Sequence, residues 1–345
     1  MAPPRLLHVS HLNGWASKWD RLVDSSPLPS PFLRSWWLGG AGGPGRHFVL
    51  VVDGPRLLGG LALERRRASI VRMMGDGLLC PDHLDLLAAP GHEARVASLL
   101  RDWLCRPGQR LLDFKSIRTG SLLLEALPGR VRCEPMAVAP FTPLPDSPEA
   151  YRASLSSQFR RNLRRSADRF AAEGVVHRAI RGPALLRCLD TLRDLHEAQW
   201  GGRSRFLPVF DRFAAACSAG SAVDEVVIHE LGNDDLVVAT VTAFEVCGRV
   251  SLYQSARLTD SRWRDASTML LATIIDDACA RGLEEVDFLR GHESYKEKFA
   301  PQHRELLRLV AGKGVMGKTA TFRVTQTAMQ YLRFGKMTVA RWRPR

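Results

Sequence analysis

The sequence predicts a mixed α/β (α+β) protein that folds as two domains. It has 345 residues, and at roughly 100–200 residues per domain this length indicates about two. Strand-like and helix-like segments alternate in both halves, and a proline-rich stretch at 140–151 separates them. We therefore expect an N-terminal domain at 1–145, a C-terminal domain at 146–312 and a basic tail, helical in its middle, at 313–345.

The first half contains its own strands and helices. Apolar residues at helical spacing predict helices, short apolar runs predict strands, and Gly54-Pro55 indicates a hairpin turn. Trp36 and Trp37 precede a glycine-rich stretch, which favours a helix end followed by a loop. In chain order we predict a helix at 15–23, strands at 47–53, 56–67 and 70–74, a helix at 92–105, a strand at 110–117 and a short helix at 122–127.

The second half begins with a helix rich in arginine and continues with strands that follow one another closely. Ser267 is expected to be the N-cap residue of the last long helix. In chain order we predict a helix at 149–174, a strand at 175–180, a helix at 183–200, strands at 222–232, 236–248 and 249–258, a helix at 267–282, a strand at 284–291 and a short helix or turn at 293–301.

The composition limits the classes of function that the protein can have. The net charge of +13 favours a polyanionic partner, such as CoA phosphates, tRNA or anionic lipid, although an arginine-rich genome would have the same effect. Seven cysteines without a CxxC pair indicate neither a disulfide framework nor a metal site, and most are expected to fill core space. This cysteine usage fits a reduced, cytoplasmic setting, and no apolar run is long enough for a membrane span.

The loop before the last long helix is a candidate phosphate site. A helix N-terminus offers free N–H groups and a partial positive charge, which together bind anions. Here Arg262, Arg264, Ser267 and Thr268 approach that terminus, and the arginines can pair with a pyrophosphate. An ordinary capped helix behind a solvated loop is the alternative interpretation.

The segment DFLRGHESYKEKFAP (287–301) is the second candidate. Tyr295 follows a strand that ends at Gly291, and a tyrosine beside a departing thiolate can supply its proton. Lys296 can hold a carboxylate or phosphate, and Asp287 can order the site from the strand. A packed tyrosine, a surface lysine and a strand-edge charge are the alternatives.

Two helices supply the remaining candidates. Arg160 and Arg164 lie four residues apart on one face of the basic helix, which favours phosphate or tRNA binding, or simply a solvated face. His196 and Trp200 share a face of the next helix, and His196 can act as a general base for an amine or can be a packed histidine. We find no GxSxG, P-loop, HExxH or GxGxxG motif in a suitable context, so hydrolase, NTPase and dinucleotide-binding functions are unsupported.

The order of these segments resembles the CelD/FemAB-like group of acyltransferases within the GNAT superfamily of N-acetyltransferases. The resemblance covers most of residues 30–300 and includes the first half. The segments that carry it are PFLRSWW (31–37), 82–104, FRRNLRR (159–165) followed by Gly174 and a strand, LHEAQW (195–200), LYQSA (252–256), the helix-opening loop, DFLRG (287–291) and Tyr295-Lys296.

The resemblance implies tandem GNAT-like domains, each a mixed and mainly antiparallel sheet flanked by helices. It implies an acyl donor, acetyl-CoA or another acyl-CoA, between diverging strands, with its pyrophosphate at 262–268 and Tyr295 near the thiolate. Backbone N–H groups around Tyr253, Gln254 and Ser255 would stabilise the oxyanion. The helix start departs from the family pattern, because Ser267-Thr268-Met269 replaces Ser-Pro-Gly and 261–268 contains no glycine.

The leading functional prediction is N-acyl transfer from acyl-CoA to an amine on a small molecule, a saccharide precursor or a peptide, without a metal. Trp200, Arg160, Arg164, Asp287 and Lys296 are the candidate acceptor-binding residues. Aminoacyl transfer from charged tRNA, as in the FemAB-like branch, is the second prediction. A third is a GNAT-like scaffold that binds a partner without catalysis. The sequence does not determine the oligomeric state.

Overall fold

The computed structural model describes residues 3–66, 70–77, 79–105, 111–127, 131–291 and 293–312, so the predicted tail lies outside the described residues. The strands are β1 (Arg5–Val9), β2 (Arg46–Asp53), β3 (Arg56–Arg66), β4 (Ile70–Met73), β5 (Leu87–Ala88), β6 (Leu111–Arg118), β7 (Val131–Pro143), β8 (Val176–Ile180), β9 (Val226–Gly232), β10 (Val237–Val246), β11 (Arg249–Arg257), β12 (Glu285–Asp287) and β13 (Gln302–Gly312). The helices are α1 (Ala16–Asp24), α2 (Ser35–Ala41), α3 (Glu93–Leu104), α4 (Leu123–Ala126), α5 (Pro148–Ser154), α6 (Ser157–Ala172), α7 (Leu185–Trp200), α8 (Phe210–Ser221) and α9 (Ala266–Ala280).

One succession of elements occurs twice along the chain. β1 to β4 form an antiparallel meander, α3 follows, and β6 then pairs in parallel with β4. β8 to β11 form a second antiparallel meander, α9 follows, and β12 pairs in parallel with β11. The predicted fold class, a mixed and mainly antiparallel sheet with flanking helices, is confirmed, and the repeated succession makes the arrangement a tandem one.

The two halves exchange strands in the middle of the sheet. The strand order is β1-β2-β3-β4-β6-β13-β7-β12-β11-β10-β9-β8, with β5 paired to β3. β13, from the end of the described chain, lies between β6 and β7 of the first half. The end of β7 pairs in turn with β12 of the second half. The domain division at 145/146 remains a prediction, and hydrogen bonds between strands connect the residues on its two sides.

Sequence reasoning missed both exchanged strands. The proline-rich stretch was interpreted as a domain boundary, yet β7 continues to Pro143, and two of its three prolines occupy positions that a strand tolerates. Pro135 lies beside a register shift opposite Leu307, and Pro143 ends the strand. Proline is accepted at bulges and strand ends because no ladder N–H is needed there.

Several other predictions need correction. The basic helix is two helices, because the chain is extended at Leu155 and Ser156, and Ser156 Oγ accepts the N–H of Phe159 (3.2 Å) to begin α6. Trp36 and Trp37 lie inside α2 rather than at a helix end, and α8 was not predicted. The cysteines mostly do not fill the core: only two of the seven, at 217 and 279, are buried.

Aromatic packing joins the two halves behind the sheet. Phe32 and Trp37 from the first half contact Phe244 and Tyr253 from the second, with ring centroids 5.3–5.9 Å apart. A second apolar cluster lies on the opposite face, where α5, α6 and α9 cover β9 to β12. Full burial of one such large side chain contributes about 1.5–3 kcal/mol, so both clusters fix the second half firmly.

Candidate active site

A cavity of about 620 Å³ opens where five segments of the chain meet. The end of β11, the start of α9, the segment after β12 and the end of α7 form most of its wall, and Cys80 and Asp82 of the first half complete it. Ten predicted site residues line this one cavity: His196, Trp200, Tyr253, Gln254, Ser255, Arg264, Ser267, Thr268, Tyr295 and Lys296.

The cavity exists because β11 and β12 separate. Their parallel pairing covers only Arg249 to Ser251 opposite Glu285 to Asp287, whereas β11 continues to Arg257. On the other side, Thr242 pairs with Gln254 and Ala243 with Leu252, so Tyr253 is the extra residue of a β-bulge. Beyond Ser251, β11 therefore has a strand neighbour on one side only, and its backbone groups on the other side face the gap.

The side chain of Tyr253 is engaged in packing and is not available for catalysis. The ring packs against Phe32, Trp37, Phe213 and Phe244, and the hydroxyl donates a hydrogen bond to the carbonyl of Leu79. Burial raises the pKa of this hydroxyl well above its usual value. The side chain of Tyr253 thus acts in packing, and a catalytic contribution at this position would come from the backbone.

The segment after β12 places four polar side chains in the cavity, those of Arg290, Glu293, Tyr295 and Lys296. Lys296 is buried, with Nζ 3.0 Å from the Glu293 carboxylate and 3.0 Å from the carbonyl of Arg290. These groups lie over Gly291, whose φ of +140° favours glycine, and an added Cβ 2.1 Å from Glu293 Oε2 would push the Glu293 carboxylate aside. Lys296 therefore fixes the loop from within.

Tyr295 follows Glu293 in this loop and keeps its hydroxyl available. No hydrogen bond joins that hydroxyl to any residue in the described ranges, although the ring packs against the apolar cluster around α9. Burial, with the nearby Glu293 carboxylate, raises the pKa of Tyr295 to about 12. At neutral pH the side chain is a protonated hydrogen-bond donor on the cavity wall.

Asp287, predicted as a substrate-binding residue, does not line the cavity. β12 lies between β7 and β11, and this position is 1% exposed. Asp287 Oδ2 lies 2.8 Å from His83 Nε2 and 3.6 Å from Arg304, and Oδ1 accepts the N–H of Leu289 (2.7 Å). Burial alone would raise the pKa of Asp287, but these partners hold it below its usual value. Asp287 orders the segment that carries Arg290 and Tyr295.

His196 lies in the cavity wall, and its Nε2 atom already has a hydrogen-bond partner. Ser204 Oγ accepts the N–H groups of Phe206 and Leu207 (3.1 Å each), so its own proton points to His196 Nε2, 2.8 Å away. Burial lowers the pKa of His196, which keeps the ring neutral. These contacts support packing of His196 rather than its prediction as the general base. Trp200, one turn later, is 46% exposed with its ring in the cavity.

The start of α9 closes one end of the cavity. The helix begins at Ala266, so Asp265 occupies the N-cap position predicted for Ser267. The Asp265 carboxylate accepts from Arg169 (3.1 Å) and Ser166 (3.3 Å) instead of capping the helix. Ser267 and Thr268 face the cavity with the first turn, and the Arg264 side chain is 74% exposed, 3.9 Å from Asp265.

Three predicted arginines lie away from the cavity. Arg160 donates to the carbonyls of Ala153 (2.9 Å) and Leu155 (2.6 Å), because its helix begins just beyond the end of α5. Arg164 borders only a shallow depression on the outer surface of α6. Arg262 pairs with Glu173 and stacks on Trp263 (4.9 Å). The structure does not bring these side chains to the candidate site.

Sequence reasoning also missed residues that the cavity contains. Arg290 and Glu293 lie within the quoted segment 287–301 but were passed over, and Arg257 lies near the end of the predicted strand 249–258. Asp82 is 1% exposed and accepts from Arg290 Nε (2.6 Å) and from its backbone N–H (2.7 Å). Burial raises the pKa of Asp82, and Arg290 offsets part of that rise. No local pattern connects Asp82 with a segment 208 residues later.

The described residues form neither a metal site nor a membrane-spanning helix. Among the described residues, no three His, Cys, Asp or Glu side chains come together as a metal site. No helix in the described part of the chain combines the length and apolar character needed to cross a bilayer.

Comparison with known proteins defines the class. Residues 157–297 match the sequence model of the acetyltransferase (GNAT) domain, a range that contains every cavity segment except Cys80 and Asp82. The predicted relationship to the GNAT superfamily is thereby confirmed. The protein is an acyltransferase whose second half carries a GNAT domain.

Solved structures share the fold across both halves. FemX is 9% identical, with a TM-score of 0.63 over 88% of this chain and 96% of its own. L-PGS from Bacillus licheniformis is 14% identical, with a TM-score of 0.58 over 84% of this chain and 90% of its own. No curated protein sequence matches the chain. The predicted FemAB-like resemblance therefore holds at the level of the fold.

Proposed function

We propose that the protein transfers an acyl group from acyl-CoA to an amine acceptor in the cavity between β11 and β12. The observation that carries this proposal is the separation of the two strands after Ser251 and Asp287, with the start of α9 at one end of the gap. The gap leaves room for an extended donor. Arg264 and the free N–H groups of the first helical turn would bind its pyrophosphate.

The reaction would be direct attack of a neutral amine on the thioester carbonyl carbon. The C–N bond forms as the carbonyl electrons move to oxygen, where backbone N–H groups at 253–255 stabilise the negative charge. Collapse of this intermediate breaks the C–S bond, and the thiolate leaves. Holding both reactants in one cavity supplies much of the rate enhancement through orientation.

Tyr295 would stabilise the departing thiolate by a hydrogen bond. Its pKa is about 12, whereas an ordinary thiol has a pKa of about 8.5. Complete proton transfer from Tyr295 to the thiolate would therefore be uphill by about 5 kcal/mol. Donating a hydrogen bond avoids this cost and still lowers the energy of the leaving group.

The proton lost by the amine needs an acceptor. Two carboxylates line the cavity within the described ranges, those of Asp82 and Glu293. Asp82 is buried and tied to Arg290, but the Glu293 side chain is 53% exposed. Glu293, directly or through water, is thus the better proton acceptor, and Trp200 offers an exposed ring against which the acceptor can pack.

Calorimetric binding of acetyl-CoA tests the donor assignment. We expect Arg264→Ala to weaken binding about tenfold, the value of one charge-assisted contact, and Tyr295→Phe to leave binding unchanged. Arg161→Ala is the matched control, because Arg161 lies on the outer surface of α6 and bonds only Gln158. Undetectable binding to the wild-type protein at millimolar ligand would reject acyl-CoA as the donor.

Aminoacyl-tRNA is the second candidate donor. The observation that favours it is the row of exposed arginines on α6, Arg161, Arg164 and Arg165, in a chain of net charge +13. Asp265 at the start of α9 and the lack of glycine there are also less suited to a tightly bound pyrophosphate. Binding of a charged tRNA whose affinity falls steeply between about 50 and 200 mM salt would support this donor.

A further inference from the structure

The candidate active site opens on both faces of the sheet. Leu252, Leu271 and Phe288 in its lining belong to the apolar cluster under α9. Ala256 and Leu289 in the same lining belong to the cluster that contains the buried faces of α7 and α8. The cavity therefore passes through the gap between β11 and β12, and we call its two ends the α9 side and the α7 side.

The cations that suit a phosphorylated donor lie on the α9 side. Arg264 lies just before the first turn of α9. Arg257 is paired with Ala239, which belongs to the cluster under α9, and directly opposite side chains of an antiparallel pair share a face of the sheet. The donor proposed above therefore occupies the α9 side, and the α7 side is left for the acceptor.

The first half of the chain closes the α7 side. The ring of Tyr253 packs against the cluster of this side, and its hydroxyl donates to the carbonyl of Leu79. Cys80 and Asp82, from the same segment, line the cavity, and Arg290 of the second half donates to Asp82. An acceptor on the α7 side therefore contacts both halves of the protein.

The described residues of the α7 side offer no unpaired charge. Arg290 Nε lies 2.6 Å from the Asp82 carboxylate, so these two charges neutralise each other. Lys296 and Glu293, at the gap, are paired in the same way at 3.0 Å, and burial lowers the pKa of His196, which keeps that ring neutral. An acceptor that carries a carboxylate or a phosphate would find no cation to compensate it here, and burying an unpaired charge is costly.

Neutral hydrogen-bonding groups surround an exposed indole ring instead. Trp200 is the one aromatic residue among the exposed large apolar side chains of the described ranges, and it lines the cavity. Gln199 Oε1 accepts the N–H of Arg257 (3.3 Å), so its amide N–H groups are available to a ligand. Gln254 lies two residues before Ala256 and therefore shares the α7 face of β11. A pyranose ring fits this set, because its C–H face packs on an aromatic ring and its hydroxyls bond to amides.

We propose that the acceptor is an amino sugar. Its pyranose ring packs on Trp200, its hydroxyls bond to Gln199 and Gln254, and its amine lies in the gap beside Glu293. The amine nitrogen forms the new amide bond, the thioester C–S bond breaks, and the amine proton passes to Glu293 as the thiolate leaves. This inference rests on the proposed function, because it assumes that acyl-CoA supplies the acyl group.

Turnover of matched acceptors tests the sugar class. Glucosamine is compared with muramic acid, which is the same amino sugar with an added carboxylate, and with glycylglycine, which has an amine and a carboxylate but no sugar ring. We expect kcat/KM for glucosamine to exceed both other values by about tenfold or more, because each of the others brings an uncompensated charge to the α7 side.

Variants of Trp200 test the proposed stacking. Trp200→Ala should raise KM for glucosamine about tenfold and leave KM for acetyl-CoA unchanged, because only the acceptor loses its aromatic partner. Trp200→Phe, which keeps a smaller ring, should give a KM for glucosamine between those of the wild type and Trp200→Ala. Leu186→Ala is the matched control, because Leu186 is an exposed apolar side chain of the same helix outside the cavity, and it should change neither KM.

The outcomes separate this inference from the proposed function. Turnover of muramic acid or glycylglycine at least as fast as that of glucosamine overturns the sugar assignment and leaves acyl-CoA transfer standing. So does calorimetric binding of acetyl-CoA without turnover of glucosamine. A Trp200→Ala variant that raises both KM values equally also overturns it, since that behaviour reflects altered packing of α7. No binding of acetyl-CoA rejects the proposed function, and the inference falls with it.

Discussion

Two tyrosines line the cavity, and replacing each by phenylalanine should separate folding from catalysis. The Tyr253 hydroxyl donates to the buried carbonyl of Leu79, so Tyr253→Phe leaves that acceptor without a partner. An unsatisfied buried polar group costs about 1–3 kcal/mol, while the ring contacts remain. The free energy of unfolding should fall by this amount, and kcat should change less than about tenfold.

Tyr295→Phe should behave in the opposite way. Its hydroxyl forms no hydrogen bond with any described residue, so the free energy of unfolding should stay within about 0.5 kcal/mol of the wild-type value. Loss of the hydrogen bond to the leaving group should lower kcat about 10²-fold.

Urea unfolding followed by tryptophan fluorescence, with turnover of acetyl-CoA and an amine, measures both quantities for each variant. A 10²-fold loss of kcat in Tyr253→Phe at unchanged stability would refute our assignment, because it would make that hydroxyl chemically active. A destabilised Tyr295→Phe with normal kcat would refute it equally.

Three further predictions follow from the buried and displaced polar residues. Asp287→Asn should destabilise the fold by about 3–5 kcal/mol, because His83 loses a buried partner. Since the pKa of Asp287 is lowered on folding, the difference in the free energy of unfolding between wild type and variant should be constant from pH 5 to 8 and shrink below about pH 4. Unfolding titrations at several pH values measure this difference. Arg160→Ala should lower the free energy of unfolding in urea by about 1 kcal/mol and leave kcat/KM unchanged, because this side chain only caps α5. A large loss of kcat/KM would contradict that role. His196→Gln should leave the acid limb of the pH–rate profile in place, because Ser204 already engages Nε2 of His196. Disappearance of that limb would restore His196 as the base.

The fold class could be predicted because the second half alternates regularly. β9, β10 and β11 are apolar runs separated by tight turns, and α9 follows with apolar residues on nearly every face. Such local patterns reveal elements but not their partners. β13 and β7 pair across more than 160 residues, and nothing in either strand indicates this contact.

The site could be predicted in part for the same reason. Tyr295, Lys296 and Thr268 lie in short segments whose position relative to a strand end or a helix start can be read from sequence. The direction of an arginine on a helix depends on neighbouring elements, so Arg160 and Arg164 were assigned to substrate although neither side chain reaches the cavity. Asp82 required knowledge of a contact between the two halves.

The strand exchange has a consequence for synthesis on the ribosome. β6 lies beside β13 in the finished sheet, yet about 190 residues separate the end of one from the end of the other. At roughly 5–20 residues per second, β6 waits about 10–40 s for its partner to emerge. Most of its side chains are buried in the final fold, so an apolar, unpaired edge is exposed to other nascent chains during that interval. A chaperone that protects this edge would therefore raise the yield of active protein.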